Sequence, residues 1–312
     1  MRVGITGGAG FIGSNLAKSL FENEHEVFIL DNFSTGFKKN LEDVECTVIE
    51  GDLKNQETVK RFLLGCDLQY IFHLGAVGSV PRSIDNPLLS FENNSVATLN
   101  VLEAAREKKI PILFSSSSSV YGKNPKLPKE EIDWLSPISP YAAAKLSAEA
   151  MCLAYAESFG LDITIFRLFN VYGPKQNPDG AYAAVIPKWI RAAREGKPLQ
   201  IYGDGEQRRD FTFVNDVTMI MSAVMKSKTG NKGPINLAFG IPVTLNQIVE
   251  VFGEYYGKVK VEYLPQRKGD IRNSESNPNK LLNLGIFPNQ PTDIREGLMR
   301  TFEWFESRDK FD

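Results

Sequence analysis

The sequence contains no apolar run of about 18 residues, the length a helix needs to cross a bilayer. Its start, MRVGITGGAG, lacks the basic segment and apolar stretch of a secretion signal, so a cytoplasmic location is expected. Cysteine is scarce. Cys46, Cys66 and Cys152 are odd in number, far apart and without a CxxC pair, which excludes a disulfide framework and fits reduced thiols. Histidine is scarcer still: His25 and His73 cannot build a histidine-rich centre, and no metal is expected. A basic excess is also missing. With 36 Lys and Arg against 38 Asp and Glu, the net charge of −2 argues against a broad nucleic-acid surface, though not against a local basic pocket for a small anion. There is no internal repeat and no flexible Gly/Ser linker.

What is there is a chain of 312 residues, 42% hydrophobic and 24% charged, enough for one large or two interleaved domains. In the first half, short apolar runs alternate with amphipathic stretches. Arg2–Thr6, Glu26–Asp31, Cys46–Glu50, Gln69–Leu74 and Pro111–Ser115 read as strands, with a sixth at Asp162–Leu168. Gly10–Phe21, Glu57–Leu64 and Asn93–Lys109 read as helices between them. This alternation predicts an α/β fold, a Rossmann-type doubly wound parallel sheet with helices on both faces. The second half loses the rhythm. Pro and Gly become frequent at 172–180 and 201–205, and the strands Asp210–Val214 and Ile235–Ala238 are short, which suits a smaller C-terminal substrate-binding lobe.

The first strand runs into Gly7-Gly8-Ala9-Gly10-Phe11-Ile12-Gly13 and then a helix. Gly7 permits the tight turn, Gly10 lets a pyrophosphate approach the backbone, and Gly13 lets helix and strand pack closely. The helix N-terminus then presents free N–H groups to the phosphates. Asp31 ends the second strand 18 residues after Gly13, where a ribose 2′-hydroxyl ligand belongs. An acid there repels a 2′-phosphate, so NAD is expected rather than NADP. The dinucleotide domain is then expected over 1–168 plus about 210–240, and the substrate lobe over 169–209 plus 241–312. Asp52 either caps the adenine amino group or serves a turn or helix N-terminus; the pattern leaves both open.

Tyr141 and Lys145 open a helix after Ser139-Pro140, four residues apart and so on one face. An ammonium beside a phenol favours the phenolate, and such a tyrosine can act as a base near neutral pH. Tyr256 and Lys260 show the same spacing around Gly257, far from any strand end, and read as a chance surface pair. The first pair differs in its context, a glycine loop upstream and the serine run Ser115–Ser119 just before it.

TGGAGFIGS, SSSSSVYG, SPYAAAK and RLFNVYGP together resemble the extended short-chain dehydrogenase/reductase family, specifically its nucleotide-sugar epimerases and dehydratases, over essentially the whole chain. The resemblance implies that Tyr141 is the base, that Lys145 holds the nicotinamide ribose, and that Ser117 relays protons, with Ser118 and Ser119 as alternates in the same run. It assigns Phe11, Ile12, Asn32, Asp52, Leu53, Leu74, Ala76 and Asn94 to the cofactor. It assigns Gly78, Ser79, Ser117, Ser118, Ser119, Val185, Lys188 and Tyr202 to the substrate, with Asn170, Arg209 and Arg267 on a diphosphate, Asp270 on a ribose and 183–189 around a uracil. The chain departs from the family at Ala97-Thr98, where Gly-Thr is usual, and at Gly75 in HLGA.

The same strand end separates reactions. Family dehydratases carry Asp-Glu where Ser118 and Ser119 stand, and decarboxylases usually carry a glutamate at Ser119. Both absences point to 4-epimerisation. Gly78–Pro87 and Asn177–Ile190 resemble the UDP-N-acetylglucosamine 4-epimerases in particular. Ser274 occupies a position where bulkier residues narrow the sugar pocket of some UDP-glucose epimerases, so space for an N-acetyl group is expected there. UDP-glucose or UDP-uronate epimerases, a dehydratase, or an NAD-sensing binding protein are the alternatives. The resemblance also implies a homodimer through a four-helix bundle formed by Asn94–Ala105 and Tyr141–Ala156, with Leu99, Leu102, Leu146, Met151 and Leu153 as the apolar contributors.

Overall fold

A computed structural model describes residues 1–179, 183–227, 233–266, 271–286 and 290–308. The chain opens with β1 (Arg2–Thr6), α1 (Phe11–Glu22), β2 (Glu26–Asp31), β3 (Cys46–Glu50) and α2 (Gln56–Lys60), the last continued by a π turn at Arg61–Gly65. Next come β4 (Tyr70–His73), the short α3 (Val80–Asp85) and α4 (Pro87–Phe91), a π turn at Glu92–Val96 and α5 (Ala97–Lys108). β5 (Ile112–Ser117), α6 (Pro140–Phe159) and β6 (Ile163–Leu168) close the half that the sequence pattern describes. All six expected strands are present, with ends shifted by no more than two residues.

Every pairing in the main sheet is parallel, in the order β6-β5-β4-β1-β2-β3. Alternate residues supply opposite faces. Val27 and Ile29 of β2 join the core under α1, while Phe28 and Leu30 join the core under α2, α5 and α6. Both faces are covered, which is why these strands read as near-continuous apolar runs.

The remaining elements are β7 (Asn170–Tyr172), α7 (Val185–Arg194), β8 (Leu199–Tyr202), β9 (Arg208–Phe213), α8 (Val214–Ser227), β10 (Ile235–Leu237), β11 (Pro242–Thr244), α9 (Leu245–Tyr256), β12 (Val261–Leu264), α10 (Asn279–Leu282) and α11 (Ile294–Glu306). They divide in space rather than in sequence. β10 pairs with β6 as a seventh parallel strand, and α8 lays Val217, Met221 and Val224 against Leu16 and Leu20 of α1. β9 instead joins β7 and β11 in a small sheet, while β8 and β12 form a parallel pair. A third core, built on Trp189, Phe213, Phe252 and Phe302, holds this lobe together.

Strand order reverses between β1 and β4, so their connections leave in opposite directions and open a crevice above their carboxyl ends. The crevice depends on α1 seating firmly. Leu20 is fully buried between α1, α8 and the sheet. Leu20→Ala is expected to cost ~2–5 kcal/mol of stability, read from the midpoint of urea unfolding.

Candidate active site

The glycine loop leaves β1 at Gly7, whose φ of +68° no ordinary side chain favours. A Cβ on Gly7 would stand 2.7 Å from the Gly75 Cα after β4, and one on Gly13 would strike the Gly7 carbonyl. Both glycines are therefore required by close backbone approach. Gly10 caps α1 with no side chain bonded to the first-turn N–H groups. These groups face a cavity of about 650 Å³. Gly7, Gly10, Phe11, Ile12, Gly13, Asp31, Asn32, Asp52, Leu53, Leu74 and Ala76 all line it, as the sequence assigned them.

Asp31 is buried and raised above the ordinary carboxylate range by that burial, against the pull of the Phe33 and Ala9 N–H groups it accepts at 2.8 and 2.9 Å. It thus ties the glycine loop to the end of β2. Asp52 accepts from the Lys54 N–H at 2.8 Å, a turn role; the α2 cap is Asn55. Asn94, expected at the cofactor, does not line the cavity. It is buried away from the cavity, and its amide donates to the Ser90 and Val77 carbonyls at 2.6 and 3.3 Å. The π turn brings the neighbouring Asn93 to the wall instead.

At the other end of the same cavity stand Ser115, Ser116, Ser117, Tyr141 and Lys145. Ser139 caps α6 through the Ala142 N–H at 3.2 Å and Pro140 presets the first turn, so the helix begins one residue before Tyr141. Ser117 bonds the Tyr141 phenol. The Ser119 hydroxyl and N–H both donate to Ser117 Oγ, at 2.9 and 3.2 Å. Ser118 and Ser119 belong to a 3₁₀ turn and line neither cavity, so of these three serines only Ser117 reaches the wall. Gly78 and Ser79 complete the wall; a Cβ on Gly78 would lie 3.9 Å from the Tyr141 hydroxyl.

The expected acidification of Tyr141 by Lys145 is absent from the protein's own groups. Burial raises the phenol above its usual 10, opposed only by the Ser117 bond. Lys145 donates to the Ser115 carbonyl at 2.8 Å, and burial lowers its ammonium to about 8. Sequence reasoning missed His73, whose only signal was its place at the end of β4. It is lowered to about 3, first by burial and then by Lys145, so it is neutral. Its ring bridges Thr6 Oγ1 at 2.7 Å and Thr98 Oγ1 at 3.0 Å, bracing β4 against α5.

A second cavity of about 600 Å³ shares Asn170, Val171, Gln176 and Ala184 with the first. Val185, Lys188, Tyr202 and Arg209 line it as expected, joined by Trp189 and Gln207. The Arg209 guanidinium donates to the Ile271 and Arg272 carbonyls, both at 2.7 Å, and braces that segment. Ser274 is placed differently from expectation. Its N–H donates to the Arg208 carbonyl and its carbonyl accepts from the Asp210 N–H, both at 3.0 Å, and it lines neither cavity. Arg267 and Asp270 lie outside the described residues. The decoy Tyr256 is not a surface residue paired with Lys260: it closes α9, packs on Phe252 and Phe302, and donates to Glu306 at 3.0 Å.

Residues 3–238 match the NAD dependent epimerase/dehydratase family. The chain belongs to that family. A UDP-N-acetylglucosamine 4-epimerase of Methanobrevibacter ruminantium M1, solved with UDP-N-acetylmuramic acid, is 39% identical with a TM-score of 0.89, each chain 98% covered. A UDP-glucose 4-epimerase of Thermotoga maritima, solved with UDP-glucose, is 35% identical with a TM-score of 0.92, over 98% of this chain and 99% of that one. A UDP-N-acetyl-alpha-D-glucosaminuronate decarboxylase of Bacillus cytotoxicus is 34% identical over 96% of each chain.

NAD is the cofactor of this epimerase/dehydratase family member, and the cradle fits it: backbone N–H groups for a pyrophosphate at the start of α1, a glycine loop packed directly on Gly13 of that helix, and an acid at the end of β2. Lys145 carries a pH signature of its own. Because its pKa is depressed when folded, the buried ammonium costs stability below about pH 8, and that cost fades as pH rises from about 8 towards the unfolded value near 10.4. In cofactor-free protein, Lys145→Met should remove this slope. Urea unfolding at pH 7 to 10 should show the variant more stable than the parent by up to a few kcal/mol at pH 7, with the gap narrowing as pH rises.

Proposed function

We propose that the protein inverts C4 of a UDP-hexose through a 4-keto sugar, with UDP-N-acetylglucosamine and UDP-N-acetylgalactosamine as the leading pair and the plain hexoses as further substrates. The observation that carries this reading is the strand end. Ser117 bonds Tyr141, and the next two residues, Ser118 and Ser119, offer no acid beside the base. Protonating a departing hydroxyl, as a dehydratase must, needs such an acid. Decarboxylation is the second reading, favoured by the Bacillus cytotoxicus relative and opposed by the serine at 119.

In this mechanism NAD, when bound, supplies the hydride chemistry. Tyr141 accepts the proton of the sugar 4-hydroxyl, directly or through Ser117, and returns it to the same oxygen after the sugar has turned its other face. Lys145 keeps the ribose in place and its charge near the phenol. Asn170 and Arg209, with Arg267, hold the diphosphate while the sugar turns in the space where the two cavities meet. The preference for the N-acetylated pair rests on Gly78–Pro87, Asn177–Ile190 and the Methanobrevibacter ruminantium neighbour rather than on Ser274. A panel of UDP-sugars with products read by NMR tests the reading; loss of carbon dioxide or water from a sugar, with no C4 epimer formed, would overturn it.

Tyr141→Phe is expected to fold, retain NAD and lose turnover by ~10²–10⁴-fold, whereas Tyr256→Phe should keep wild-type rates. Rates of both variants on the preferred sugar, with bound NAD quantified, check this.

The protein is further proposed to work as a homodimer across α5 and α6. Leu102 is consumed by the monomer's own core, but Leu99, Leu146, Met151 and Leu153 keep partial exposure on those helices. Sedimentation at micromolar concentration should give twice the chain mass, and a monomer there would exclude this assembly.

A further inference from the structure

Glu149 and Arg167 are buried ionisable side chains that the proposed reaction does not use. Ser116 of β5, Arg167 of β6 and Asn236 of β10 are register partners, so their side chains stand in one row on one face of the sheet. Over that face lies α6, which carries Tyr141, Lys145 and Glu149 four residues apart along a single stripe. The Glu149 carboxylate accepts from Arg167 Nη2 at 2.6 Å and Nε at 3.1 Å, a two-pronged pair, and from Ser116 Oγ at 2.6 Å. Arg167 Nη1 donates onward to the Tyr121 hydroxyl at 3.0 Å, which donates to Asn236 Oδ1 at 2.7 Å. None of these five residues is more than 3% exposed.

Stability alone does not account for such a pair. Desolvation of two charges offsets most of their attraction, and well-packed apolar residues of the same volume often serve as well. The placement is more informative. Three consecutive serines of β5 meet the three stripe residues of α6: the Ser115 carbonyl meets Lys145, Ser116 meets Glu149, and Ser117 meets Tyr141. Only the middle contact contains no group assigned to the reaction, and it alone is anchored to the sheet by a charged fork.

We propose that the Glu149–Arg167 pair is a positioning device that clamps α6 to the serine end of β5 and so sets the Tyr141–Ser117 and Lys145–Ser115 contacts. This rests on the reading of Ser117, Tyr141 and Lys145 as the reacting set. A displacement of about 1 Å at such a site costs on the order of 10²-fold in rate, so the clamp acts on turnover rather than on binding.

The test is the double variant Glu149→Leu/Arg167→Met in the full chain, which leaves no unpaired buried charge, together with Ser116→Ala and Arg167→Lys. Two quantities are read. One is kcat and KM on the UDP-sugar that the wild type turns over. The other is the phenol titration of Tyr141 in NAD-loaded protein, taken as the absorbance difference between each protein and its Tyr141→Phe counterpart. The double variant should lose ~10–100-fold in kcat with KM unchanged within about twofold. Its Tyr141 titration should move up by about one pH unit as the Ser117 bond loosens. Ser116→Ala should shift both in the same direction by less, and Arg167→Lys should restore part of the loss. A folded double variant with wild-type kcat and an unmoved titration overturns the proposal. Should the double variant not fold, unchanged kcat and titration in Ser116→Ala overturn it equally. The titration needs no turnover, so failure of the 4-epimerase reading would show separately, as a wild type that inverts no UDP-hexose while the Tyr141 titration still decides the clamp.

Discussion

The close approach of two backbone turns, Gly7 after β1 and Gly75 after β4, is the constraint on which the site depends. These two strands are neighbours at the point where the sheet order reverses. Their connections diverge above the sheet, and the gap between them becomes the cofactor cavity. A side chain on Gly7 would meet the Gly75 backbone and force the two strand ends apart. The small Gly75, at a position where the family usually carries alanine, fits this crowding: a Cβ there would meet the Leu53 side chain.

Burial then sets the chemistry. The cavity is lined by a lysine lowered to about 8 and a phenol raised above 10, and a neutral His73 lies buried at the end of β4, all displaced chiefly by desolvation. Neither the imidazole nor the phenol alone is poised for proton transfer near pH 7. The protein sets the tyrosine beside Ser117 and one helical turn from Lys145, and the positive charge of a bound nicotinamide would favour the phenolate there.

The two lobes are coupled by polar links beneath the same loop. Lys175, buried in the lobe segment that lines both the cofactor cavity and the opposite cleft, donates to the Asn40 carbonyl at 2.7 Å and to Asp43 at 3.0 Å. Asn40 in turn donates to the Ala9 carbonyl of the glycine loop at 2.9 Å, and Asn15 of α1 reaches the Pro174 carbonyl at 3.0 Å. The segment at Pro174 and Lys175 is thereby tied to the glycine loop and α1.

Much of this was legible in the residues because the signals are local. Strand and helix follow from hydrophobic period, the glycine loop from its turn chemistry, Asp31 from its distance along the chain, and the Tyr141–Lys145 stripe from helical spacing. Orientation was not legible. A π turn decided that Asn93 and not Asn94 faces the cavity, and a 3₁₀ turn carried Ser118 and Ser119 off the wall that Ser115, Ser116 and Ser117 line. Backbone pairing with β9 held Ser274 out of the sugar cavity, and lobe packing drew Tyr256 into a core. β9, expected with β10 in the dinucleotide domain, joins the small sheet instead, and Glu149 of α6 meets Arg167 of β6, pairings that spacing along the chain does not display. Residue type and spacing determine which chemistry a segment can offer, but which side chain points inward, and what charge it carries once buried, depends on neighbours brought together only by folding.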